Sequence, residues 1–371
     1  MCAMKKRIGI LTISHSLMNY GNRLQNYALQ KTLAKLGYDS ETVAYTPSYE
    51  GVLRPAGTVK KRSAFVRKFR AAAKRAIISA MAAYRAVVSF GKASTLEAKT
   101  AGFNEFIRTK LSWTDEKYTL GSDFSALDRK FDCLIAGSDQ IWNPFWEGTQ
   151  PVYFMEYVPP EKRTVYAASF GVQEIPEEMK EQFRKYLTQI PRISCREDRG
   201  CEIVEELTGK RPEQVIDPTF LLNREEWAEI EQRPSGVRIR EPYVLVYFLG
   251  RITAEARHRI KALKRSGMSV IYLDKVLQVN TCFASPQEFL YLVNHAAAIV
   301  TDSFHGTAFA VIFNRPFTYC VSQRGAYMGS RLSSLFKMLG CSENTTDFTE
   351  INKAVLREQH KALEYLKAVL P

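Results

Sequence analysis

The strongest constraint on this chain is an alternation of short apolar runs with amphipathic spacers that begins near the N-terminus, stops, and begins again. Strand-like runs occupy residues 7–14, 39–45, 131–138, 164–171, 192–196 and 214–216, then 243–250, 268–273, 296–301 and 316–321. Between them the period changes. Leu24, Ala28, Leu29, Leu33 and Leu36 share one face of a predicted helix over 22–36, which Gly37 ends. Further helices are predicted over 254–265, 285–295, 306–313 and 349–370. Strands that alternate with helices pair in parallel, because the helix is the crossover that carries the chain back to the same sheet edge. The polar stretch 232–242 separates the two series.

A chain of 371 residues is too long for one ordinary core. The expectation is therefore an α/β protein of two Rossmann-like domains facing across a cleft. The first spans 1–231 and carries a basic insertion at about 52–96. The second spans 232–345, and a C-terminal helix over 346–371 is a candidate to pack back on the first. In open sheets of this kind ligands bind beyond the C-terminal ends of the strands. The informative turns are the ones found there.

Charge narrows the reading further. The net charge is +13, and eleven cations with no Asp or Glu fall between Gly51 and Leu96, so the basicity is local. Within that segment Phe65, Phe69, Ala73, Ile77, Met81, Tyr84 and Val88 form a stripe of helical spacing flanked by Lys and Arg. Such a stripe suits a helix lying on an anionic membrane surface, with Arg67, Lys68, Lys74 and Arg75 as docking cations. It equally suits a hairpin packed on the first domain with a solvated basic face. No recognised nucleic-acid motif accompanies it. Seven dispersed cysteines, no C-x-x-C pair and no signal-like leader point to free thiols in a reducing cytoplasm, with the basic segment allowing peripheral attachment. No zinc-type ligand cluster is present in the sequence, so no metal is expected.

At the junction after 296–300, Thr301-Asp-Ser-Phe-His-Gly-Thr307 reads as strand, tight turn and helix. The helix start offers unpaired N–H groups to an anion, and His305 stands beside them. The plainer reading is a histidine that caps the helix. Two carboxylates, Glu197 beside Arg196 and Asp139 in Gly-Ser-Asp-Gln, are candidates for acid–base work. Asp139 equally suits the cap of a helix starting near Ile141.

Six turn sequences occur in one order: Asn19-Tyr-Gly-Asn-Arg-Leu-Gln25, Ala136-Gly-Ser-Asp-Gln-Ile-Trp-Asn143, Tyr166-Ala-Ala-Ser-Phe-Gly171, Ser194-Cys-Arg-Glu197, Ile216-Asp-Pro-Thr219 and Asp302-Ser-Phe-His-Gly306. Together they resemble the polysaccharide pyruvyl transferase family from about residue 7 to about residue 340. The resemblance implies an architecture similar to two-domain glycosyltransferases (GT-B-like). It also implies transfer of the enolpyruvyl group of phosphoenolpyruvate onto two sugar hydroxyls, giving a pyruvate ketal and phosphate. Phosphoenolpyruvate is then donor substrate and no cofactor is expected. Arg196, His305 and Arg331 match family positions, although many relatives carry lysine where Arg331 stands. Asn22 stands where many relatives have aspartate.

On this reading Arg196, Arg331, His305, Ser303, Gly306 and Thr307 bind phosphoenolpyruvate, since arginine forks match carboxylate and phosphate. His305, Glu197 and Asp139 are the catalytic candidates. Asn19, Tyr20, Asn22, Gln25, Gln140, Trp142 and Asn143 face the acceptor, with Trp142 either stacking on a pyranose or anchoring the core. The acceptor is a glycan, free or carried on a polyprenyl diphosphate. Two alternatives remain: a nucleotide-sugar glycosyltransferase of the same shape, and a non-catalytic scaffold of polysaccharide assembly on a membrane.

Overall fold

A computed structural model describes residues 5–15, 18–48, 52–53, 79, 95–147, 149–321 and 329–371. Arg67, Lys68, Lys74 and Arg75 lie outside the described residues. Two sheets organise the chain. The first contains β1 (Arg7–Leu11), β2 (Asp39–Tyr45), β3 (Trp113–Tyr118), β4 (Cys133–Asp139), β5 (Arg163–Ala168), β6 (Arg192–Cys195) and β7 (Glu213–Gln214). Its order is β3-β2-β1-β4-β5-β6-β7, parallel throughout. The second contains β8 (Tyr243–Tyr247), β9 (Ser269–Leu273), β10 (Thr281–Cys282), β11 (Ala298–Thr301), β12 (Phe317–Tyr319) and β13 (Asn344–Thr345). Its order is β10-β9-β8-β11-β12-β13, with only β13 antiparallel. The central strands β4, β5, β8 and β11 are buried along their whole length, as strands covered by helices on both faces must be.

The helices are α1 (Tyr20–Lys35), α2 (Leu96–Lys110), α3 (Ser125–Lys130), α4 (Glu177–Leu187), α5 (Asp198–Thr208), α6 (Arg224–Ala228), α7 (Ala254–Arg265), α8 (Pro286–Asn294), α9 (Phe304–Ile312), α10 (Gly329–Leu339) and α11 (Thr349–Val369). Among the described residues no helix is long and apolar enough to cross a membrane. Two starts differ from the sequence reading. α1 begins at Tyr20, because Asn19 accepts from the Asn22 N–H as its N-cap. α9 begins at Phe304, capped by Ser303. The turn after β4 forms no helix, so Asp139 caps none.

Two pieces of packing bind the sheets together. Tyr20, at the start of α1, is buried against Phe289 of α8 (ring centroids 4.6 Å apart, stacked) and edge-on to Tyr247 of β8 at 5.8 Å. Its hydroxyl donates to the Ala284 carbonyl at 3.0 Å. α10 packs on α5, where Ser334 Oγ accepts from the Asp198 N–H at 3.1 Å. That contact brings Arg331 of the second sheet's half beside Arg196 of the first. α11 then runs back across the first sheet, with the Tyr365 hydroxyl donating to the Val165 carbonyl at 3.0 Å and Ala362 and Leu366 fully buried.

Replacing Tyr20 by alanine is expected to cost about 3–5 kcal/mol, the range for deleting a buried aromatic. Scanning calorimetry would show this as a lowered melting temperature. An unchanged transition would mean that the two halves are held together elsewhere.

Candidate active site

The C-terminal ends of β1, β4, β8 and β11 open onto a cavity of about 380 Å³. One wall comes from the first half, through Ile13, Asn19, Asn22, Asp139 and Gln140. The other comes from Tyr247, Leu249, Ser303, Phe304, His305 and Arg331. The cavity therefore lies between the sheets, where the strand order of the second sheet reverses between β8 and β11.

Behind this wall is a chain of buried charge. Arg196 follows β6 and is 4% exposed; its Nη1 donates to Asp217 Oδ2 at 2.6 Å and its Nη2 lies 3.4 Å from Asp139 Oδ1. Burial works against the Arg196 charge, but Asp217, Asp139 and Glu197 hold its pKa above the usual arginine value. Asp217 would be pushed up by burial, yet Arg196, His305 and the Thr219 N–H keep it below the usual carboxylate value. His305 Nε2 points at the same Asp217 oxygen from 3.8 Å and forms no hydrogen bond. Burial drives the His305 pKa below 6.5; Asp217 and Asp139 pull it up, and Arg196 and Arg331 push it further down.

Arg331 completes the group from α10. It is 4% exposed and meets no carboxylate within 4 Å among the described residues. With the Gln140 amide oxygen turned toward it, Nη1 donates to that neutral acceptor at 2.7 Å. Burial, with Arg196 nearby, lowers its pKa to about 10. Both guanidiniums also face the Phe304 ring, Arg196 Cζ at 4.4 Å from the centroid and Arg331 Cζ at 5.8 Å. Arg331 is thus a buried guanidinium that lines the cavity and has a neutral hydrogen-bond partner, a placement that suits an anionic ligand.

Backbone constraints place the parts. A Cβ on Gly21 would sit 1.9 Å from His305 Nδ1, so only glycine lets the first turn of α1 touch the imidazole. Asp139 has φ 70, a left-handed conformation that aspartate tolerates better than most residues. This bend turns the carboxylate back to accept from Asn22 Nδ2 as well as Arg196.

Several sequence expectations need correction. Gly306 and Thr307 do not offer N–H groups to the cavity, because Ser303 Oγ accepts from the first at 3.2 Å and the Ser303 carbonyl from the second at 3.0 Å. The N–H groups without intrahelical partners are those of Phe304 and His305. Glu197 does not line the cavity; its Oε1 accepts from Ser169 Oγ at 2.8 Å and the Phe170 N–H at 3.0 Å, and so fastens the loop after β5. Trp142 is fully buried between Phe154 and Phe170 and is a core tryptophan. Tyr20, Gln25 and Asn143 are also set back: Gln25 Nε2 donates to Thr12 Oγ1, and Asn143 Oδ1 accepts from the Phe145 N–H. Asn19, Asn22, Gln140 and Asp139 do line the cavity.

The sequence reading missed Asp217, which it quoted in a motif without a role, and the aromatic rim of Phe145 and Trp146, which are 40% and 48% exposed. It also missed Glu147, whose Oε1 lies 3.5 Å from His15 Nε2 at the cavity edge. Among the described residues no group of His, Cys, Asp and Glu is arranged to hold a metal ion.

The family sequence pattern for polysaccharide pyruvyl transferases matches residues 19–324, most of the chain. The chain belongs to the polysaccharide pyruvyl transferase family. No curated protein matches it significantly in sequence. Among solved structures it is similar to the UDP-GlcNAc 2-epimerase of Neisseria meningitidis bound to UDP-GlcNAc, at 9% identity and TM-score 0.48, covering 99% of this chain and 94% of that one. It is also similar to a glycosyltransferase of Rickettsia africae, at 11% identity and TM-score 0.48, covering 99% of each chain.

The electrostatic arrangement has a checkable sign. Asp217 raises the His305 pKa, so Asp217→Asn is expected to lower it further. An NMR titration of the His305 ring in wild type and variant measures this directly, and an upward shift would contradict the geometry.

Proposed function

We propose that the protein transfers the enolpyruvyl group of phosphoenolpyruvate to two hydroxyls of a glycan, forming a pyruvate ketal and releasing phosphate. The observation that carries this reading is Arg331, buried at the cavity with no carboxylate within 4 Å among the described residues, and with His305 lining the same cavity. Phosphoenolpyruvate carries a carboxylate and a phosphate on adjacent positions, and the planar guanidinium of Arg331, the arginine that lines the cavity, suits either oxyanion, with Arg196 paired to Asp217 behind it. Family membership supports the same reading.

In the proposed reaction a proton is added to the methylene carbon, and a sugar hydroxyl attacks the neighbouring carbon. Phosphate leaves with the bridging oxygen, and a second hydroxyl closes the ketal. Of the two hydroxyl protons, one ends on the new methyl group and the other on the departing phosphate. His305 is the proposed carrier, with the Asp217 charge 3.8 Å from its Nε2 favouring the protonated ring. The glycan is proposed to lie against Asn19, Asn22 and Gln140, with Phe145 and Trp146 offering the ring surface first sought in Trp142.

Incubation with phosphoenolpyruvate and an acceptor glycan is expected to release inorganic phosphate and yield a ketal methyl signal in the proton NMR spectrum. Turnover of a nucleotide sugar, with no release from phosphoenolpyruvate, would reject the proposal. His305→Ala is expected to lower kcat roughly 100-fold or more. Gly21→Ala, which pushes the ring aside while leaving it present, is expected to cost about 100-fold.

The pH dependence follows from the buried setting of His305, which lowers its pKa. A bound dianion raises the His305 pKa from its depressed value. Between the free and bound values, binding takes up a proton, and affinity for phosphoenolpyruvate falls as pH rises. Calorimetry in buffers of different ionisation enthalpy is expected to report this uptake near neutral pH. It should vanish in His305→Gln.

A further inference from the structure

A second and larger depression lies on the far side of the wall that Leu249 and Gly250 form. Leu249 lines the cavity just described, and Gly250 lines a groove of about 810 Å³ bounded by the loop after β8, one face of α7 and the loop after β9. Asp302 fixes this wall by accepting from the Leu249 N–H at 2.6 Å and the Gly250 N–H at 3.0 Å. Five cations line the groove: Arg251, Arg257, Lys261, Lys264 and Lys275. Arg257, Lys261 and Lys264 stand one turn apart on the same face of α7, a mutually repulsive arrangement. None of the five pairs with a carboxylate within 4 Å among the described residues. Lys275 Nζ instead donates to the Gly250 carbonyl at 2.8 Å, on the wall itself.

Asp274 is the one carboxylate among the lining residues, and it is already engaged. Lys99, reaching over from α2, donates to its Oδ2 at 2.6 Å, and the Tyr20 hydroxyl lies 3.4 Å from its Oδ1. The groove is therefore cationic with its own acid neutralised from the opposite half. Leu277 and Val279, 58% and 49% exposed, follow on its outer side. An ordinary solvated face mixes both signs of charge; this one does not.

We propose that the groove is a second anion site, which holds a phosphate or diphosphate ester of the acceptor while the attached sugar reaches over Leu249 into the cavity. The assignment of the anion to the acceptor rests on the transferase reading; the existence of the anion site does not.

Calorimetric titration of the full chain with sodium pyrophosphate tests it. Wild type is expected to bind at two sites, one in the cavity and one in the groove. The triple variant Arg257→Gln, Lys261→Gln, Lys264→Gln is expected to weaken the groove event roughly tenfold or more while keeping wild-type helicity. A matched triple on α11, Lys353→Gln, Lys361→Gln, Lys367→Gln, removes the same charge elsewhere and is expected to change nothing. Undiminished binding by the groove triple, or equal loss in both triples, overturns the proposal. Arg331→Ala separates the two readings: loss of only the cavity event supports both. If Arg331→Ala has no effect while the groove triple still loses binding, the transferase reading fails and the groove stands. Flotation with phosphatidylcholine vesicles containing a polyprenyl diphosphate distinguishes the source. Co-flotation of wild type but not of the groove triple assigns a lipid-borne ester. Failure to float, with pyrophosphate still bound, assigns a water-soluble one.

Discussion

The ion pair between Arg196 and Asp217 is the constraint on which the rest of the site depends. Both side chains are almost completely buried, and removing ions from water costs several kcal/mol each unless partners replace the lost hydration. The requirement propagates outward. Asp217 also accepts from Ser138 Oγ at 3.3 Å, Arg196 reaches Asp139, and Asp139 accepts from Asn22 of α1. Each step fixes a turn at the end of a different strand, so one buried charge holds the ends of β4, β6 and the start of α1 in register. At Arg331 the hydrogen-bond partner is an uncharged amide, that of Gln140. Where a protein leaves a buried cation short of compensation at a cleft, a ligand is the ordinary means of supplying it.

The parallel core was legible because central strands covered on both faces must be continuously apolar, and β4, β5, β8 and β11 are. The edges were not. β3 reads Trp-Thr-Asp-Glu-Lys-Tyr, with three successive exposed charged residues of the kind that protect an edge strand from further pairing. β13 is two residues long and antiparallel, too short to leave a pattern. Helix starts were displaced by two positions in α1 and α9. In α9 that small difference decided which N–H groups lack an intrahelical partner: those of Phe304 and His305, not those of Gly306 and Thr307.

The site residues show the same division. Arg196 and His305 stood out in sequence through turn motifs and Arg331 through a separate family position; His305 and Arg331 line the cavity, and Arg196 lies behind its wall. Trp142 and Trp146 are four residues apart in one turn, and nothing in residue type distinguishes them. Only the packing shows that the first is held between Phe154 and Phe170 while the second is exposed at the rim. Asp217 escaped notice for a related reason. Its part depends on partners from β4, β6 and α9, far away in the chain, and no local spacing records that convergence.

The opening turn of α1 joins these matters. Tyr20 wedges between aromatic rings of the other half, Gly21 abuts the imidazole, and Asn22 grips Asp139. Three neighbours on one helix thus bear on the packing between the halves, the buried histidine and the charge network. A swing of one half against the other that withdraws the tyrosine also retracts the surface against which the histidine rests. How the two sheets fit together and how the imidazole is seated are therefore set by the same turn of helix.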